Sequence, residues 1–243
     1  MTTGRVAING VSTHYEMVGV GPPLLLLHGG FQVVDRLTGL AEALSPRFTV
    51  YLPQRRGHGR TPDVEGPVSY QLMTEDTSAF LDAFGIERAE IVGYSDGGNI
   101  GLLLAIQAPD RVARLVCISA NTSPQAIDIA GFLTAPEHQA ALESIRNDYD
   151  KLSPDGPQHR PVIREKLMRM WTEEPQIGVD DLARVVSPTL VMAADRDVVP
   201  VDHTVALWRA LAHADLCIVP GSSHLLIEEK PDLVRRVVLD FLR

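Results

Sequence analysis

The chain has 243 residues, with 22 Lys+Arg against 31 Asp+Glu for a net charge of −9, and 45% of its positions are hydrophobic. That composition suits one soluble α/β domain with a full core. It excludes a polyanion-wrapping surface, because the one basic cluster, Arg55-Arg56-Gly57-His58-Gly59-Arg60, is too short for a phosphate-binding stripe. The longest aliphatic run near the amino terminus, Leu24 to Leu27, is far short of a membrane span. Neither nucleic acid nor a membrane is expected as a partner, and a cytoplasmic location is the default expectation. Cys117 and Cys217 lie in separate apolar runs; they read as core thiols, with neither disulfide nor metal-ligand spacing.

In chain order, Arg5 to Ile8 and Thr13 to Met17 read as an opening pair of strands. Pro23 to His28, Thr49 to Leu52, Ala89 to Tyr94 and Leu115 to Ser119 follow as inner strands, their apolar runs unbroken by polar alternation as in strands buried on both faces. Helices are predicted at Leu37 to Leu44, Thr74 to Phe84 and Gly97 to Gln107, the last stopped by Pro109. From 121 to 187 strand-like runs vanish, prolines multiply, and helices are predicted at Glu137 to Tyr149 and Val162 to Trp171. Alternation resumes with Thr189 to Ala193, a helix at Thr204 to Leu211, a strand at Leu216 to Val219 and a closing helix at Pro231 to Leu242. The expectation is a mostly parallel α/β core formed by 1–120 and 188–243, with 121–187 inserted as a small helical cap.

The strongest local signal is Gly93-Tyr94-Ser95-Asp96-Gly97-Gly98, which leaves a buried strand and opens a helix. It has the G-x-S-x-G spacing of a nucleophile elbow, where the residues two places either side of the serine must be small. Asp96 fails that requirement as a nucleophile, since Tyr94 would occupy one flank.

A serine hydroxyl needs a base, and the base an orienting acid. His224, in Pro220-Gly221-Ser222-Ser223-His224 after the last predicted strand, is the expected base. Two acids follow the preceding strand, Asp195 and Asp197; Asp197 is preferred because it has turned over the sheet edge, whereas Asp195 suits turn amides or Arg196. Oxyanion donors are expected from the Asp96 amide and from Gly30 or Phe31 in His28-Gly29-Gly30-Phe31. His28 reads as an orienting residue beneath that loop. No metal or cofactor is expected.

With His28-Gly29, Arg56-Gly57-His58-Gly59, the elbow, Asp197 and His224 in this order, the sequence resembles the α/β-hydrolase fold superfamily across nearly its full length. The hexapeptide at 93–98 and the short cap are similar to the biphenyl-hydrolase-like, or valacyclovir hydrolase, branch of serine esterases. Gln54 departs from the aspartate of many relatives, and Ala194 from a frequent glycine. The resemblance implies a cofactor-free serine hydrolase acting on a small ester, an amino-acid ester or lactone included, through an acyl-enzyme. A carbon–carbon bond hydrolase or lyase, a cofactor-free haloperoxidase or perhydrolase, and a non-enzymatic small-molecule receptor are the alternatives. Phe31, Phe132, Leu133, Leu167, Met170 and Trp171 are the candidate pocket liners, and the Asp96 carboxylate is a candidate selector of cationic acyl groups.

Overall fold

Leu24 to Leu27 are all fully buried. A short run of four buried leucines suits a strand covered on both faces, and the computed structural model, which describes residues 1–243, places them in the middle of a sheet. The strands are β1 (Thr2–Ile8), β2 (Val11–Val18), β3 (Pro23–Leu27), β4 (Thr49–Pro53), β5 (Ala89–Tyr94), β6 (Val112–Ile118), β7 (Thr189–Arg196) and β8 (Ala214–Ser223). Their order is β1-β2-β4-β3-β5-β6-β7-β8. β1 and β2 are an antiparallel hairpin joined antiparallel to β4, and the remaining six strands run parallel. This is the α/β-hydrolase fold expected from the sequence.

The helices are α1 (Thr38–Leu44), α2 (Tyr70–Ala83), α3 (Asp96–Gln107), α4 (Ile129–Thr134), α5 (Gln139–Leu152), α6 (Arg160–Glu173), α7 (Val179–Leu182), α8 (Val201–Ala210), α9 (Leu226–Glu229) and α10 (Pro231–Phe241). The period of two along β3 divides the core. Leu25 and Leu27 pack with Phe80 of α2 and Leu102 of α3, while Leu24 and Leu26 pack with Leu40 of α1 and Val238 of α10. No helix is long and apolar enough to cross a membrane.

β4 pairs on one side of β3 and β5 on the other. Chain direction around the sheet therefore reverses at β3, and the crevice at the carboxyl ends of β3 and β5 is where such sheets bind ligands. Helices α4 to α7 all lie between β6 and β7. Ion pairs tie them over that crevice: Arg36 to Asp148 at 2.7 Å and Lys166 to Asp63 at 2.6 Å. Ile163, Leu167 and Met170 of α6 join the β3-side core.

Several local features depart from the sequence expectation. α2 begins at Tyr70 rather than Thr74, because Ser69 caps it by accepting the Leu72 amide at 3.1 Å. α4 was not anticipated; Asp128 caps it by accepting from Gly131 N. β8 continues through Pro220 to Ser223 instead of ending at Val219, because the Asp195 carboxylate accepts the Gly221 and Ser222 amides at 2.9 and 3.1 Å. Cys117 is a buried core thiol, while Cys217, on the edge strand β8, is only partly buried, packed against the core on that face of the sheet.

Candidate active site

Ser95 sits between β5 and α3 at φ 54° and ψ −118°, a conformation that costs a non-glycine residue of order 1–3 kcal/mol. The surroundings enforce it. Its amide donates to Ile118 O on β6 at 2.7 Å. A Cβ at Gly93 would collide with the Gly97 carbonyl, and one at Gly97 with the Leu27 carbonyl of β3. The two glycines let α3 start directly against the sheet, lifting Ser95 Oγ above the strand ends. The Asp96 amide, first in α3, has no partner within its own helix.

β8 delivers His224 and β7 delivers Asp197. Ser95 Oγ lies 3.0 Å from His224 Nε2, and His224 Nδ1 lies 2.6 Å from Asp197 Oδ1. His224 is held at its backbone and against two aromatic rings. Tyr94 OH donates to the His224 carbonyl at 2.6 Å, the Tyr94 ring lies alongside, and the Phe132 ring meets the imidazole edge-on with centroids 5.3 Å apart.

The Asp197 side chain is wholly removed from solvent. Burial by itself would push its carboxyl up. The His224 imidazole, the Ser119 hydroxyl and the Val199 amide outweigh that and hold it below the usual carboxylate range. Ser119 Oγ donates to Oδ2 at 2.5 Å, and the Ala194 and Val199 amides donate at 3.2 Å each. Asp195 is separate from this chain, engaged with Gly221 and Ser222.

The loop after β3 is held from behind. His28 is fully buried; its Nδ1 donates to Gly29 O at 2.8 Å, and its Nε2 accepts from Arg55 N at 3.2 Å and Gln54 Nε2 at 3.0 Å. Burial and the nearby Arg55 charge lower its pKa well below that of a free imidazole, consistent with one protonated nitrogen and one acceptor. The Arg55 guanidinium donates to the carbonyls of His28 and Gly29, and its own pKa is pulled down by burial to about 10. A trans peptide points its N–H opposite its C=O. Pinning Gly29 O against Arg55 and His28 therefore turns the Gly30 N–H away from them. At Gly30 there is no room for a side chain, because a Cβ would strike the Asp96 carboxylate and the Trp171 ring. Phe31 follows at φ 59° and stacks on Tyr149 with centroids 5.2 Å apart.

The Asp96 carboxylate faces the cleft but is already bonded. Tyr70 OH donates to Oδ1 at 2.8 Å, and Trp171 Nε1 donates to Oδ1 and Oδ2 at 3.0 and 3.2 Å. Phe31, Phe132, Leu133 and Trp171 line the cleft as expected; Leu167 and Met170 do not. Those two occupy the opposite face of α6, at 0% and 2% exposure in the core, and Met168 takes their place in the cleft wall. Ser119, Tyr70 and Arg55 were missed as site residues. Arg55 lay within the noted basic cluster, yet nothing in its spacing marked it as buried. No group of three or more His, Cys, Asp or Glu is arranged to hold a metal ion.

Comparisons with known proteins agree with this architecture. Residues 22–155 match the family model described as the alpha/beta hydrolase fold. A putative carbamate hydrolase, RutD, of a Caulobacter species is 28% identical over 232 residues, covering 83% of each chain. The mouse serine hydrolase BPHL is 27% identical, covering 100% of this chain and 87% of its own. Among solved structures, a meta-cleavage product hydrolase from Pseudomonas fluorescens superposes with a TM-score of 0.83 over 98% of this chain and 97% of that one, at 23% identity, a likeness of fold alone.

Proposed function

The chain belongs to the α/β-hydrolase fold family and is a hydrolase, and from that premise we propose that it cleaves a small carboxylic ester or lactone through an acyl-enzyme on Ser95, without a cofactor. The observation that carries this reading is the continuous chain Ser95 Oγ, His224 Nε2, His224 Nδ1, Asp197 Oδ1, with links of 3.0 and 2.6 Å. His224 Nε2 takes the serine proton as Oγ bonds to the substrate carbonyl carbon, and Asp197, which already accepts from Nδ1–H, stabilises the imidazolium that results. The oxyanion forms beside the amides of Asp96 and Gly30, with Phe31 completing the loop. Collapse breaks the carbon–oxygen bond, and the leaving alkoxide takes the proton from Nε2. Water then repeats the sequence, giving up its proton to Nε2 and releasing the acid and free Ser95 Oγ.

Phe31, Phe132 and Trp171 are the substrate-binding side chains in this reading, and Asp96 contributes both its amide and a carboxylate at the cleft wall. An amino-acid ester is the second reading. Asp96 favours it, because a carboxylate has about four lone-pair positions and Tyr70 and Trp171 do not use them all.

The test is fluorophosphonate labelling together with turnover of a short-chain aryl ester. Wild type is expected to show both, and Ser95→Ala to lose labelling and on the order of 10³-fold or more of kcat. A Ser95→Ala protein that keeps most of its ester turnover would overturn the assignment. Labelling without turnover of any ester would leave a carbon–carbon bond substrate as the better reading.

A further inference from the structure

α6 presents two different faces. Ile163, Leu167 and Met170 point into the core, while Arg160, Arg164, Met168 and Trp171, spaced four, four and three apart, line the cleft. Trp171 marks the catalytic end, because its indole donates to the Asp96 carboxylate beside Ser95. At 1.5 Å of rise per residue, Arg164 lies roughly 10 Å along the helix axis from Trp171. Arg146 of α5 joins it in the cleft wall, next to Ile145.

The charges on this wall are unbalanced. Arg160 is paired with Asp150 at 2.7 Å. Arg146 and Arg164 have neither a hydrogen bond nor a carboxylate within 4.0 Å, unlike Arg36, Arg56 and Arg114, each bound to an acid. Asp96 is the sole acid lining the cleft, and it lies at the opposite end, held by Tyr70 and Trp171. In a chain of net charge −9, two unpaired guanidiniums, that of the exposed Arg164 and that of the partly buried Arg146, thus border a cleft with more apolar than polar lining residues. Low-dielectric walls focus such a local positive field, and the guanidinium fork matches a carboxylate in shape as well as charge.

Building on the ester-hydrolase reading, we propose that Arg146 and Arg164 form a binding site for a carboxylate at the far end of the substrate. The preferred substrate is an ester with an apolar body, its scissile carbonyl at Ser95 and its carboxylate at the arginines. Phe132, Leu133, Ile145 and Met168 line the wall along which a methylene chain would lie.

The experiment compares p-nitrophenyl half-esters of adipic, suberic and sebacic acids with matched esters ending in a primary amide. Wild type is expected to prefer the acid-terminated ester in kcat/KM by about tenfold or more at one chain length, mostly through KM. Added salt should shrink the preference. The double variant Arg146→Gln/Arg164→Gln should bring the ratio near one, and Arg169→Gln, on the exposed side of α6, should keep the wild-type ratio. A wild-type ratio near one at every length, or a preference that survives in the double variant, overturns the site. Calorimetric binding of suberic acid reads the same site without turnover: binding to wild type and not to the double variant is expected, and no binding, or equal binding, overturns the proposal. Absence of ester turnover and of Ser95 labelling would instead sink the ester-hydrolase reading, and suberic acid binding would still decide the carboxylate site.

Discussion

Ser119 Oγ donates to Asp197 Oδ2 at 2.5 Å, reaching from the end of β6 to the acid that follows β7. Ser119 itself has φ 53°, and its amide donates to Met192 O of β7 at 2.7 Å, so strand pairing aims the hydroxyl. The oxygen of Asp197 that does not face His224 is thereby occupied, leaving Oδ1 for the imidazole. Ser119→Ala is expected to lower kcat/KM by about tenfold, the scale of one hydrogen bond to a charged group, with KM little changed. Asp197→Asn should cost far more, on the order of 10⁴-fold, through the wrong imidazole tautomer. Steady-state kinetics on one aryl ester compares the two; a silent Ser119→Ala would reduce that serine to packing.

The two acids at the end of β7, Asp195 within it and Asp197 just past it, separate cleanly by partner. Asp195 accepts the Gly221 and Ser222 amides across the β7–β8 pair, and Asp197 accepts from His224. Asp195→Asn should therefore lower the thermal midpoint while kcat stays within about threefold of wild type, because neither amide touches the reacting atoms. Measuring both quantities for both asparagine variants decides the matter, and a crippled Asp195→Asn beside an active Asp197→Asn would reverse the assignment.

Acidification should act on stability through two buried imidazoles. His58 is fully buried with its pKa lowered to about 3, by burial first and then by Arg55, and His28 is lowered for the same reasons. Below pH 6.5 the unfolded chain binds protons that these two rings refuse in the fold, so stability is full above that pH and declines as pH drops toward 3. The slope is about 1.4 kcal/mol per pH unit for each ring. Urea midpoints from pH 7 to 4 test this, and a flat series, or a slope unchanged in His58→Gln, would contradict it.

The Asp96 carboxylate sets up a fourth test. If its remaining lone pairs bind a substrate ammonium, kcat/KM for an α-amino ester should exceed that of its neutral isostere, and Asp96→Asn should erase the difference. Equal ratios in both proteins would confine the carboxylate to holding Tyr70 and Trp171, and with them α2 and α6, over the cleft.

Composition and period alone determined the layered architecture, because short unbroken apolar runs such as Leu24 to Leu27, alternating with amphipathic segments, suit a mostly parallel sheet covered by helices on both faces. The Gly93 to Gly97 spacing singled out Ser95 for an equally local reason: the clashes that would follow a side chain at either glycine lie within the turn and the strand beside it. Chain order and turn chemistry distinguished Asp197 from Asp195. Tertiary structure decided everything that depends on which strands are neighbours. Ser119 meets Asp197 only because β6 lies next to β7, and Arg55 grips the β3 loop only because β4 lies next to β3. It also decided the phase of α6, whose apolar Leu167 and Met170 looked as fit for a pocket as Trp171. Packing against the β3-side core turned them inward and left Arg164, Met168 and Trp171 facing the cleft. A helix with apolar residues on more than one face does not announce which face it buries; the surface it packs against chooses.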